Sequence, residues 1–137
     1  MITALDTNVL VDVLRADREF GRSSIAALGL AADRGSLVVC DVVWGELSSA
    51  FDDFDDGRGI LERFGIAFSP MSPSSAERAG RSWRAYRRAG GPRERMIADF
   101  LIAAHALEQA DVLLTRDRGF ARAYYGDLTV LDPSAKA

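Results

Sequence analysis

The sequence holds one lysine, Lys136, one cysteine, Cys40, and one histidine, His105, in 137 residues. Each scarcity removes a class of chemistry. A lone cysteine forms no internal disulfide, and Cys40 follows Leu37-Val38-Val39, so it reads as a small buried hydrophobe. The only lysine, Lys136, falls in the short tail outside the expected domain, so a lysine-bearing site within the domain is not expected. No apolar run approaches the roughly 18 residues of a membrane span, and no basic segment precedes an apolar stretch at the start, so neither a spanning helix nor a secretory leader is expected. No G-x-G-x-x-G or G-x-x-x-x-G-K motif occurs, which disfavours a nucleotide-binding module. A cytoplasmic protein is the expectation.

What is present fits one domain of ordinary size, with 48% hydrophobic and 27% charged residues. We expect it to fill residues 1–133, with 134–137 as a short tail. The net charge of −3 hides an uneven distribution. Residues 78–95 contain seven arginines against the single acid Glu94, while Asp52, Asp53, Asp55 and Asp56 crowd a five-residue stretch. A basic face on an acidic protein suits local phosphate contacts, although arginine is also this chain's general solubilising cation.

Apolar runs alternate with segments of helical period. Strands are expected at Ile2–Leu5, Leu37–Cys40, Ile66–Phe68, Val112–Leu114 and Leu128–Leu131. Helices are expected at Val9–Leu14, Ser23–Asp33, Val42–Phe54, Gly59–Phe64, Pro73–Ala89, Met96–Gln109 and Phe120–Tyr125. Strands separated by helices imply an α/β fold with a parallel sheet covered on both faces. Ligands then bind beyond the carboxyl ends of the strands, at the switch in strand order.

Four acids stand out against that frame. Asp6 directly follows the first strand, where it serves equally as a helix cap. Glu46 lies on the flank of the stripe Val43, Leu47, Ala50, Phe51 and Phe54; a capping box from Asp41 would need its Glu at position 44, which is Trp44. Asp99 sits in the almost wholly apolar run Met96–Leu107, where an ionised carboxylate costs several kcal/mol unless paired or bound to a cation; the plainer reading makes it the N-cap of a helix starting at Phe100. Asp117 follows a buried strand, as a turn residue, a partner of Arg116 or Arg118, or a functional acid. A sheet edge gathers such positions. Crowded like charges raise one another's pKa unless a divalent cation compensates. All-oxygen ligation suits Mg²⁺ or Mn²⁺, and the matching chemistry is metal-assisted phosphodiester hydrolysis.

The stretches "ALDTNVLVDVL", "CDVVWGEL", "RMIADFLIAAHAL", "VLLTRDRGF" and "LTVLDP" stand in one order from residue 4 to 133. Together they resemble the PIN-domain ribonucleases, and within them the VapC-type toxins of toxin–antitoxin pairs. The resemblance implies a PIN-like three-layer α/β/α fold with a central parallel sheet, and a Mg²⁺- or Mn²⁺-dependent endoribonuclease acting on RNA. It implies Asp6, Glu46, Asp99 and Asp117 as the catalytic and metal-binding acids, with Asn8 and Thr115 supporting them. It also implies a homodimer and a cognate antitoxin. If Asp6 is a ligand, Thr7 or Asn8 supplies the cap.

Arg93 and Arg95, just ahead of the Asp99 helix, are candidates for phosphate contacts. His105 lies six residues past Asp99, about 240° round a helix, and reads as structural. Trp44, Trp83 and Tyr86 read as core or dimer interface, Asp12 as a surface residue and Asp41 as a cap. Among rival classes, a phospho-receiver-like domain needs a lysine at its site, and a haloacid-dehalogenase-type phosphatase needs an acid where Asn8 stands. A non-catalytic RNA- or protein-binding module retaining the fold is the remaining alternative.

Overall fold

The computed structural model describes residues 1–92 and 97–134. Arg93 and Arg95 lie outside them. Among the described residues the order is β1 (Ile2–Leu5), α1 (Thr7–Leu14), α2 (Gly21–Arg34), β2 (Ser36–Val39), α3 (Asp41–Ser49), α4 (Asp55–Arg63), β3 (Ile66–Phe68), α5 (Pro73–Arg88), α6 (Ile97–Gln109), β4 (Val112–Leu114), α7 (Arg118–Tyr124) and β5 (Val130–Leu131). No helix among them is long and apolar enough to cross a membrane.

The five strands form one all-parallel sheet in the order β3-β2-β1-β4-β5, flanked by helices. The alternation of apolar strands with helical segments led to this architecture. β1 is central, pairing Thr3 with Leu37 on one side and Leu5 with Leu114 on the other. From β1 the chain winds outward through β2 to β3, then returns to begin β4 against the opposite side of β1. The order therefore reverses between β1 and β4, and a crevice opens at their carboxyl ends.

Two aromatic clusters anchor the helices. Trp44 of α3 meets Phe54 and Phe68 edge-on, at 5.8 and 5.7 Å between ring centroids. Phe100 of α6, fully buried, lies within 5.5 Å of Trp83, Tyr86, Phe120 and Tyr124, which ties α5 and α7 to α6. Trp83 and Tyr86 are thus packing residues. His105 is buried and shares a hydrogen bond with Ser69 Oγ, so it too is structural. Burial lowers its pKa and favours the neutral ring.

Local chemistry sets the element ends. Ser72 Oγ accepts from Ser75 N at 3.1 Å with Pro73 in the first turn, and Gly90 (φ +76°) closes α5 in the left-handed region. Gly91 lies against the Tyr86 ring with no room for a Cβ. The expected helix Val42–Phe54 ends at Ser49 instead, and the helix expected at Gly59–Phe64 begins earlier, at Asp55. Arg15 caps the end of α3 by donating to the Ala50 carbonyl (2.5 Å), and Asp53 Oδ1 accepts from Asp55 N (3.0 Å) to start α4. Aspartates compete in this way with helix continuation, which is why apolar periodicity alone overran the break. Asp41 is the first residue of α3, with Cys40 at the cap position and no side-chain cap bond, so the expected Asp41 cap is corrected. The helix α6 includes Ile97 and Ala98, so Asp99 is a first-turn residue and not a cap preceding Phe100.

Phe100→Ala is expected to cost about 3–5 kcal/mol, the range for emptying a buried aromatic site. Denaturant titration reads it, and a loss below about 1 kcal/mol would show that the α5–α6–α7 cluster does not carry the packing assigned to it.

Candidate active site

Asp6 continues the β1–β4 ladder by one residue, its backbone N–H donating to the Leu114 carbonyl at 3.0 Å. Its extended backbone (φ −83°, ψ 155°) then turns into α1. Oδ1 accepts from Thr7 N at 2.7 Å and Oδ2 accepts from Thr115 Oγ1 at 2.8 Å. Asp6 is thus both the cap of α1 and a member of the site, since its two oxygens divide the roles. The expectation that Thr7 or Asn8 would cap in its place is corrected.

Thr115 is the hub. Its hydroxyl donates to Asp6 and accepts from Asn8 Nδ2 (3.2 Å) and Asp117 N (3.0 Å), which uses its one proton and both lone pairs. Asn8 Oδ1 in turn accepts from Arg116 N at 3.2 Å. Thr7 Oγ1 donates to Glu46 Oε1 at 2.6 Å, linking α1 to α3. Asp99 is half-buried in the first turn of α6, where the positive end of the helix dipole favours an anion. Asp117 is half-buried in the turn that leads into α7.

Asp6, Glu46, Asp99 and Asp117 line a single cleft of about 380 Å³, together with Asn8 and Thr7. Four acids drawn from 112 positions of sequence thus meet at the β1–β4 switch. Their donors are all oxygen, which suits a hard divalent cation. Among the described residues no three His, Cys, Asp or Glu side chains stand close enough together to hold a metal ion as they are placed. The arrangement is an open acidic cleft, with room for waters in a cation's shell. Its electrostatics point the same way. Burial chiefly, and then the charges of Glu46 and Asp99, push Asp6 up to about 6, against the lowering by its bonds from Thr115 and Thr7. A cation would relieve both causes.

One residue of the cleft was missed. Asp12, expected at the surface, is only 4% exposed. It holds Arg116 with both oxygens, Nε to Oδ2 at 2.7 Å and Nη2 to Oδ1 at 3.0 Å, and accepts from Ser24 Oγ at 3.1 Å. The guanidinium also stacks on Phe20, 4.1 Å from the ring centroid. Arg116 is therefore committed to Asp12. Position on the helix would have flagged Asp12, because Val9 and Val13 flank it on an apolar segment, but its partner lies 104 residues away.

A family model for the PIN domain matches residues 3–125. No curated protein matches the chain. Among solved structures it is similar to a chain of VapBC2 from Rickettsia felis bound to a promoter DNA fragment, with TM-score 0.74 and 23% identity over 96% of this chain and 98% of that one. It is similar to a chain of DNA-bound VapBC from Salmonella typhimurium, with TM-score 0.72 and 22% identity over 97% and 98%. A chain of FitAcB from Neisseria gonorrhoeae follows, with TM-score 0.65 and 23% identity over 97% and 98%. At these identities the likeness is one of fold.

The raised pKa of Asp6 has a sign that can be tested. Its folded value, about 6, exceeds the ordinary 3.8, so the group binds its proton more tightly in the folded chain. Its contribution to stability is fully present below pH 3.8 and is lost as pH rises through about 6. In chelator, Asp6→Asn is expected to remove a decline of at most about 3 kcal/mol between those limits. Paired denaturant titrations of wild type and variant across that window measure it; identical pH slopes would contradict the assignment.

Proposed function

The chain belongs to the PIN domain family, whose members are nucleases, and from that premise we propose that it is a Mg²⁺- or Mn²⁺-dependent endoribonuclease. The observation that carries the reading is the convergence of Asp6, Glu46, Asp99 and Asp117 on one cleft at the sheet's switch point. These four carboxylates would hold the cation. When bound, it supplies Lewis acidity for the attacking water and for the departing oxygen of the phosphodiester.

The chain's own residues supply orientation. Thr115 and the amide of Thr7 fix both oxygens of Asp6, so that the carboxylate presents a set direction to the cleft. Asn8 and Thr115 hold the turn carrying Asp117 against α1. Thr7 holds Glu46 by its hydroxyl.

An acidic cleft repels RNA, so affinity has to come from another surface. Arg81, Arg84 and Arg88 fall on one exposed stripe of α5, and no described acid pairs with them. By contrast Arg58, Arg78 and Arg116 are held by Asp55, by Glu108 and Asp127, and by Asp12. The α5 stripe is the surface we assign to the RNA backbone.

The structures sharing this fold are described as VapBC and FitAcB, and one as a toxin–antitoxin complex from Klebsiella pneumoniae. We extend this to the present chain as the toxin of such a pair, a homodimer whose cognate antitoxin covers the cleft.

Asp6→Asn and Asp99→Asn are each expected to abolish RNA cleavage in Mg²⁺ or Mn²⁺ while leaving a cooperative thermal transition. Cleavage undiminished in both variants would refute the site. RNA binding without cleavage by the wild type in either metal would instead favour the non-catalytic binding module. Replacing Arg81, Arg84 and Arg88 by alanine should reduce the slope of log affinity against log salt by about 2, at roughly 0.7 per phosphate contact; fluorescence anisotropy with labelled RNA reads the slope.

A further inference from the structure

Arg116 occupies an awkward position. It stands between Thr115 and Asp117, lines the acidic cleft, and carries a permanent positive charge. A guanidinium at this place would be a built-in competitor for any divalent cation. Its geometry turns it the other way. Asp12 takes both ends of the fork, Phe20 covers its face, and Ser24 fills the remaining bond to Asp12 Oδ2. The carboxylate charges that bear most on Arg116 are those of Asp12, Asp17 and Asp132. The charges of Glu46 and Asp99 bear on Asp6.

The pair is also costly to break on one side only. Asp12 is nearly fully buried, and a bidentate Arg–carboxylate bond is the strongest that these side chains form. Loss of Asp12 leaves Arg116 with a charge to satisfy, in a cleft that it lines together with Asp6, Glu46, Asp99 and Asp117.

We propose that Asp12 is a positioning residue that withholds the Arg116 guanidinium from Asp6 and so keeps the cleft open to a divalent cation. This rests on the metal-dependent reading of the site. A merely structural strut makes a different prediction: either half of the pair should then be equally necessary, and removing both should be no better than removing one.

The test uses Mn²⁺ alone as the probe, with binding followed by electron paramagnetic resonance and folding by thermal melts, on the intact chain. Asp12→Asn is expected to weaken Mn²⁺ binding by about tenfold or more, in the range seen for groups behind a metal ligand. Arg116→Gln should stay within about threefold of wild type, and the double variant Asp12→Asn/Arg116→Gln should recover to the level of Arg116→Gln. If Asp12→Asn does not fold, the double variant, which leaves no buried charge unpartnered, decides by itself: near-wild-type Mn²⁺ affinity supports the proposal. A double variant as weak as Asp12→Asn, or an Asp12→Asn protein that binds Mn²⁺ like wild type, overturns it while leaving the metal site standing. A wild-type protein that binds no Mn²⁺ overturns the metal site and this role together.

Discussion

The hydrogen bond from Thr115 Oγ1 to Asp6 Oδ2 is where the fold becomes a site. It exists because β1 and β4 pair in parallel with Leu5 opposite Leu114, which brings the next residue of each strand side by side. A slip of one residue in that register would turn both strands' apolar faces over and part the two side chains. Much of the cleft is referred to this bond. Asn8 and Asp117 reach the same hydroxyl, Asn8 catches Arg116, and Thr7 extends the connection to Glu46.

The second constraint is electrostatic. The cleft concentrates negative charge that burial makes more expensive, and Asp6 responds by holding its proton more firmly than an ordinary aspartate does. The one arginine of the cleft that the structure describes is turned into a separate ion pair with Asp12, backed by Phe20. Arg81, Arg84 and Arg88 of α5 are exposed to solvent. Within these two places charge is divided, acids lining the cleft and Arg81, Arg84 and Arg88 exposed along α5. On the proposed function, such an arrangement would let a polyanion bind without its cations entering the acidic cleft.

Much of this was legible in the sequence, for local reasons. Pure apolar runs marked β2 and β4 because a parallel strand is buried on both faces. Pro73 and Gly90 marked the ends of α5 through their backbone preferences. Asp99 was conspicuous because almost every neighbour is apolar. The break between α3 and α4 was legible, but its position was not, since Trp44, Phe51 and Phe54 keep the hydrophobic period past Ser49 while Arg15 and Asp53 end one helix and start the next. Asp12 was misplaced for a similar reason: on α1 it looks like an ordinary polar interruption, and only Arg116 makes its burial tolerable.

By itself the sequence determined the alternation of strands and helices and with it the parallel sheet, because each depends on the spacing of neighbouring residues along the chain, and it singled out the four acids that line the cleft. The tertiary structure decided which strands are neighbours, and with that the meeting of Asp6 with Thr115, the double duty of Asp6 as cap and site acid, and the pairing of Asp12 with Arg116. Those contacts join residues more than a hundred positions apart, and they follow from strand order and register, which no local pattern encodes.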